Sequence, residues 1–259
     1  MGESGAKASG AEESVIAAAQ FDALLFDLDG VVTQSMKIHA AAWKLLFDSY
    51  LRGLPRKDGE EVVLFDKDTD YRAFVDGKTR YEGVNSFLQS RGISLPMGEP
   101  TDEPSLETVC GLGNKKNQYF QKQLNRQPVE VYGSSVLLIR KARAMGIKTA
   151  VVSSSRNCKR IVDSVGIADL FETRVDGIEV ERLGLKGKPA PDMFIEAARR
   201  LEVKPARAVV FEDAISGVQA GRAGGFGLVV GVDRTGHPQD LLQHGAHIVV
   251  GDLAELTLE

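Results

Sequence analysis

The stretch from Ala23 to Gly30 constrains this chain more than any other: an apolar run, Ala-Leu-Leu-Phe, stops at two carboxylates one residue apart, Asp27 and Asp29, followed at once by Gly30. An apolar run of this length reads as a buried strand. Side chains alternate along a strand, so Asp27 and Asp29 would share one face about 7 Å apart if the strand continued. Gly30 instead predicts a tight turn that gathers both carboxylates into one cleft at the strand's C-terminal edge. Taken alone, the pattern is equally that of an acidic turn at a strand end. Its company decides the matter. Val209-Val-Phe-Glu-Asp213 repeats an apolar strand ending in paired acids, Thr149-Ala-Val-Val-Ser153 gives a strand ending in hydroxyls, and Lys188 lies in the loop Lys186-Gly-Lys-Pro-Ala-Pro191.

The intervening text fills in a layered architecture. A helical pattern runs from Met36 to about Tyr50, with further helices expected around 81–91 and 114–125, and a proline-bearing loop at 95–104. After Gly133, helices at 134–145, 157–165 and 191–201 alternate with strands at 148–153, 172–175, 208–211, 227–232 and 248–250. Such alternation predicts an α/β fold built on a doubly wound parallel sheet. With the first strand at 22–27 and the rest after 133, residues 36–132 read as an inserted α-helical cap leaving the sheet just after the paired acids, well placed to act as a lid. Residues 20–35 and 133–259 then form the catalytic α/β core, and residues 1–19, rich in Gly, Ala, Ser and Glu, read as a flexible leader.

Two decoys are set aside. Asp66-Lys-Asp-Thr-Asp70 opens like a calcium loop, but Tyr71 stands where glycine is needed and Gly77 where a bidentate glutamate is needed. Gly111-Leu-Gly113 lacks the third glycine and the preceding strand of a dinucleotide loop.

A net charge of −4 gives no electrostatic footprint for nucleic acid or an anionic membrane, and no apolar run approaches the roughly 20 residues of a membrane span. Cys110 and Cys158 show neither a disulfide framework nor metal-ligand spacing, and both are expected to be reduced thiols of a cytoplasmic protein. If the strand ends meet, Asp27, Asp29, Glu212 and Asp213 crowd together. Two like charges 4 Å apart repel by about 4 kcal/mol at an effective dielectric of 20, so hard oxygens in this number call for a divalent cation, Mg2+ before softer metals.

The four segments resemble the signature motifs of the haloacid dehalogenase superfamily in order and spacing, over residues 21–252. The resemblance implies metal-dependent phosphoryl transfer through an aspartyl-phosphate. Asp27 would be the nucleophile and Asp29 the general acid and base. Ser153 and Lys188 would hold the transferring phosphoryl group. Asp27 and Asp213, the Asp29 carbonyl, and Glu212 directly or through water, would hold the metal. An acid at position 29 is absent from true dehalogenases, which argues against carbon–halogen cleavage.

Within the superfamily the chain is most similar to the β-phosphoglucomutase subgroup, which interconverts β-glucose 1-phosphate and glucose 6-phosphate and needs a second phosphate site. Ser153-Ser154-Ser155-Arg156-Asn157 resembles the extended second motif that supplies it, and Gly77-Lys-Thr-Arg80 resembles the cap's phosphate-clamping segment. His39, four residues before Trp43, matches the position that would hydrogen-bond Asp29, and Lys116-Asn117 matches a basic cap pair facing the site; Trp43 reads as core. Gln34-Ser35 departs from the subgroup's acid-then-hydroxyl hinge, and the cap is longer across 53–76. Three functions therefore stand open: a sugar-phosphate mutase, a phosphatase of the same fold, and a catalytically dead binding protein. A small sugar phosphate is the expected partner, with a monomeric chain.

Overall fold

The computed structural model describes residues 14–55 and 61–259. In chain order the elements are β1 (Ser14–Ile16), β2 (Ala23–Phe26), α1 (Met36–Gly53), α2 (Arg80–Ser90), α3 (Val109–Leu124), α4 (Gly133–Ala144), β3 (Lys148–Ser153) and α5 (Cys158–Ser164). There follow β4 (Thr173–Asp176), α6 (Gly177–Leu183), α7 (Asp192–Arg200), β5 (Ala208–Glu212), α8 (Ile215–Ala223), β6 (Leu228–Val232), α9 (Pro238–Gln243), β7 (Ile248–Val250) and β8 (Leu256–Leu258).

Six strands form one parallel sheet in the order β4-β3-β2-β5-β6-β7. Strand β2 lies at its centre because its residues are apolar on both faces: Leu24 and Phe26 enter one hydrophobic cluster, Ala23 and Leu25 the other. Phe26 pairs with Phe211 across β2 and β5, and their rings stack with centroids 4.5 Å apart. This register brings Asp27 level with Glu212, and the Asp27 amide donates to Phe211 O at 2.9 Å. The three strands that end in functional residues, β3, β2 and β5, are thus neighbours with their C-terminal ends at one edge.

The insertion forms a helical cap with its own core. Helix α1 presents Trp43, Leu46 and Phe47 to Phe65, Val84, Phe87 and Leu112. The longer segment expected across 53–76 is tied to α1 by Asp48, which accepts from the Phe65 amide at 3.1 Å and pairs with Lys44 at 2.8 Å. It ends in one π-helical turn, Tyr71–Val75. The acidic run before it has local uses: Asp66 Oδ1 accepts from the amides of Asp68 and Thr69, and Asp70 pairs with Arg91 at 2.7 Å. The two crossings between core and cap pair with each other, Gln34 N to Glu130 O at 2.8 Å and Tyr132 N to Val32 O at 2.9 Å.

The expected leader needs correction. Residues 1–13 lie outside the described residues, but β1 pairs in parallel with β8, Ser14 opposite Leu256 through Ile16 opposite Leu258. Ile16 is buried in the main core, so burial of an apolar side chain and three residues of ladder hold this segment down. Helices α6, α8 and α9 were not expected from the sequence, and α3 begins at Val109, five residues before the expected start. Both Cys110 and Cys158 are buried and free. Among the described residues no helix is long and apolar enough to cross a membrane.

Candidate active site

One cavity at the sheet edge, roofed by the cap, collects most of the residues singled out above. Its floor is Asp27, which leaves β2 with 6% of its surface exposed. Lys188 reaches in from the loop before α7, donating to Asp27 Oδ1 at 2.5 Å, Glu212 Oε1 at 2.6 Å and Val152 O at 3.2 Å. Burial alone would lower the Lys188 ammonium, but Asp27 and then Glu212 outweigh it and hold it above its ordinary range. Glu212 is doubly committed, since its Oε2 accepts from the Ala214 amide at 3.0 Å.

Gly30 turns the chain with φ +99°, and a Cβ there would stand 1.7 Å from Asp213 Oδ2. Only glycine gives the turn that seats Asp213 against the loop after β2. Ligand atoms of Asp27, Glu212 and Asp213 lie within 4.8 Å of one another. Burial first, then the charges of Asp76 and Glu212, push the Asp213 carboxyl well above the usual range. All-carboxylate donors crowded this closely fit a hard divalent cation.

Asp29 is held differently. Ser35 donates to its Oδ1, and Ser153 to its Oδ2 at 3.2 Å. Ser35 is itself paired with Thr33 at 2.7 Å, so the hydroxyl half of the hinge, which keeps the subgroup pattern beside the departing Gln34, positions the second carboxylate. Burial would raise Asp29, yet His39 and the hydrogen bonds outweigh it and hold the carboxyl at about 2. His39 Nε2 lies 3.4 Å from Asp29 Oδ1, misaligned for a hydrogen bond, and is a buried polar atom without a hydrogen-bond partner. Its Nδ1 is 2.9 Å from Lys116 Nζ. When Lys116 is protonated it can only donate, and His39 Nδ1 is then the acceptor with the ring proton on Nε2.

The opposite wall is cationic. Arg80, at the start of α2, donates to Asn114 Oδ1 at 3.2 Å and is partly desolvated; burial and Arg156 lower its pKa. Lys116 is buried, sits 4.4 Å above the Trp43 ring, and is pushed down to about 7 by burial and Arg80. Trp43, expected as core alone, packs in the cap cluster and also lines the cavity. Arg156 pairs with Glu181 at the rim, and Asn157 bridges core to cap through Asn117 at 3.1 Å and Gln121 at 2.7 Å. Ser155 lines the cavity and its Oγ accepts from Asn157 N at 3.2 Å. Ser154 lines the cavity too, and its hydroxyl donates to Gly77 O at 2.6 Å, so it also grips the cap loop.

The apolar lining residues Val75 and Ala214 were not read from the sequence as part of the site, nor were two polar ones, Tyr71 and Asp76. Burial together with the Glu212 and Asp29 charges pushes Asp76 up to about 7. Neither belongs to a motif. Both come from the cap's extra turn, and the one signal available was the Asp-Gly pair at 76–77 beside the arginine segment.

Comparison with known proteins agrees with this geometry. The sequence profile of the haloacid dehalogenase-like hydrolases matches residues 21–225. A β-phosphoglucomutase of Mycobacterium bovis is 47% identical over 237 residues, covering 90% of this chain and 90% of the relative. One of Bacillus subtilis is 32% identical over 239 residues, covering 92% of each. The crystal structure of a β-phosphoglucomutase from Clostridium difficile shares the fold with a TM-score of 0.72 at 23% identity, over 92% of this chain and 93% of that one.

Proposed function

This chain belongs to the haloacid dehalogenase-like hydrolases, a phosphoryl-transfer family, and from that premise we propose that it is a mutase interconverting β-glucose 1-phosphate and glucose 6-phosphate through an aspartyl-phosphate on Asp27. The observation that carries the reading is the cavity's division into two phosphate-sized chemistries. At one end Asp27 faces the cavity with Lys188 and Ser153 buried behind it to serve the transferring group, while at the other Arg80, Lys116 and Arg156 line the cavity and supply positive charge for a second one. Hydrolysis of a monophosphate ester would need only the first.

Asp27, Asp213 and the Asp29 carbonyl, with Glu212 behind them, would hold Mg2+, which when bound supplies charge to the phosphoryl oxygens. Glu212, gripped by Lys188 and the Ala214 amide, is suited to act through water. Lys188 neutralises Asp27 and the transferring oxygens. Ionised at neutral pH, Asp29 is in the form that accepts a proton from an incoming sugar hydroxyl as that oxygen attacks the phosphorus on Asp27. The resulting bisphosphate reorients, and protonated Asp29 then returns the proton to the leaving oxygen while Asp27 takes the other phosphoryl group. His39 Nε2–H, without a hydrogen-bond partner of its own, is placed to support Asp29 through this cycle. Ser155, Asn157 and Asn117 orient the distal phosphate, and the Ser154 hydroxyl contributes by holding the cap.

We assign residues 20–35 and 133–259 to the core and 36–132 to the cap, and read the enzyme as a cytoplasmic monomer; light scattering of the purified protein checks the latter. The chemical assignment is tested by Asp27→Asn. This variant should lose all turnover and all phosphorylated enzyme detectable by intact-mass spectrometry, and persistence of either would contradict it.

A further inference from the structure

Asp76 belongs to no motif, yet the cap delivers it to the acidic end of the cavity. It lines the main cavity together with Glu212 and Asp213, and shares a smaller one with Asp213, Arg72 and Asp240. Its peptide is seated by two core hydroxyls: Ser216 Oγ donates to Asp76 O at 3.0 Å and Ser154 Oγ to Gly77 O at 2.6 Å. Gly77 has φ +68°, and a Cβ there would stand 2.2 Å from Ser216 Oγ, so the close seat requires glycine. The preceding turn is ion-paired to the core through Arg72 and Asp240. The carboxylate therefore meets the core acids when this segment lies against the core.

Charge opposes that docking. Asp76 shares its cavity with four more carboxylates, Asp27, Asp29, Glu212 and Asp213. Of the nearby cations, Lys188 is already shared between Asp27 and Glu212, and Arg72 is paired with Asp240. A divalent cation held by Asp27 and Asp213 reverses the sign, because the incoming carboxylate is then drawn to the site. Asp76 is not among the tight set of Asp27, Glu212 and Asp213, which leaves it to act across a water or through space.

We propose that Asp76 is a cap-borne positioning residue that makes closure of the cap depend on the divalent cation. This rests on the reading that the core acids hold such an ion, and the test separates the two. Mn2+ binding to the full-length enzyme is measured by electron paramagnetic resonance, and closure by hydrogen exchange of the 71–80 segment with and without Mg2+. In the wild type, Mg2+ should slow exchange of this segment by about fivefold or more. Asp76→Asn, nearly isosteric, should be slow without Mg2+ and change by less than about twofold on its addition. Asp76→Glu should restore the Mg2+ response. A wild type that binds Mn2+ while its cap ignores Mg2+, or an Asp76→Asn variant that responds as the wild type does, overturns this inference alone. Failure of the wild type to bind Mn2+ overturns both it and the metal assignment.

Discussion

In the proposed mutase Arg80 and Lys116 carry the distinction between two phosphate sites and one, and each makes a prediction of its own. Arg80→Ala should reduce mutase turnover by roughly 30- to 1000-fold, about 2–4 kcal/mol, while hydrolysis of a small monophosphate ester falls far less. Parallel steady-state assays decide this, and equal losses would contradict a distal-phosphate role. For Lys116 the argument is linkage. Its ordinary value is 10.5 and its folded value about 7, so between those pH values the unfolded chain binds a proton that the folded protein lacks. Stability therefore rises with pH across that window, and below it the folded protein carries a buried charge at a cost. Lys116→Met should be more stable than the parent by about 2–4 kcal/mol at pH 6, with the gain vanishing near pH 10.5. Denaturant titrations at the two pH values check it, and a pH-independent gain would contradict it. Asp27, Ser153, Glu212 and Asp213 were legible from the sequence because they close apolar strands, whereas Lys188, in a loop, was legible only through the family resemblance. Asp76, Tyr71 and the grip of Ser35 on Asp29 were not, since nothing local marks a side chain whose role depends on where a separate element docks.

Among the elements, the turn at Gly30 bears the tightest steric demand, with a positive φ and Asp213 against the missing Cβ. Gly30→Ala should destabilise the protein by about 1–3 kcal/mol and weaken divalent-cation binding by about tenfold or more. Calorimetry of Mn2+ binding and thermal melts measure both, and an unchanged affinity would separate the turn from the metal site. The strands of the main sheet were legible because their apolar runs are long and end in polar residues. Helix α8 was hidden by its composition. In Ile215–Ala223, Gly217 is required because a Cβ would stand 1.8 Å from the Glu212 carboxyl carbon, and Gly221 because one would press on Val229 and Val210. Packing against β5 and β6 makes a helix of residues whose propensity argues against one. Helix α6 has its signal in Asp176, which accepts from the amides of Ile178 and Glu179, but a strand ending in the same residue masks it. The pairing of β1 with β8 joins residues 242 apart, Ser14 with Leu256, and leaves no trace in either segment.

At the scale of the molecule, core and cap residues line one cavity jointly, so in the proposed mutase activity, metal binding and cap position are one coupled system. The central claim is that this system passes a phosphoryl group between two positions of one sugar. Its most direct test is a split assay with purified protein, Mg2+, β-glucose 1-phosphate and a trace of β-glucose 1,6-bisphosphate. One channel couples glucose 6-phosphate to a dehydrogenase and the other counts free phosphate. The account predicts rapid glucose 6-phosphate formation with little phosphate release. Phosphate release without isomerisation would contradict it and make the enzyme a phosphatase.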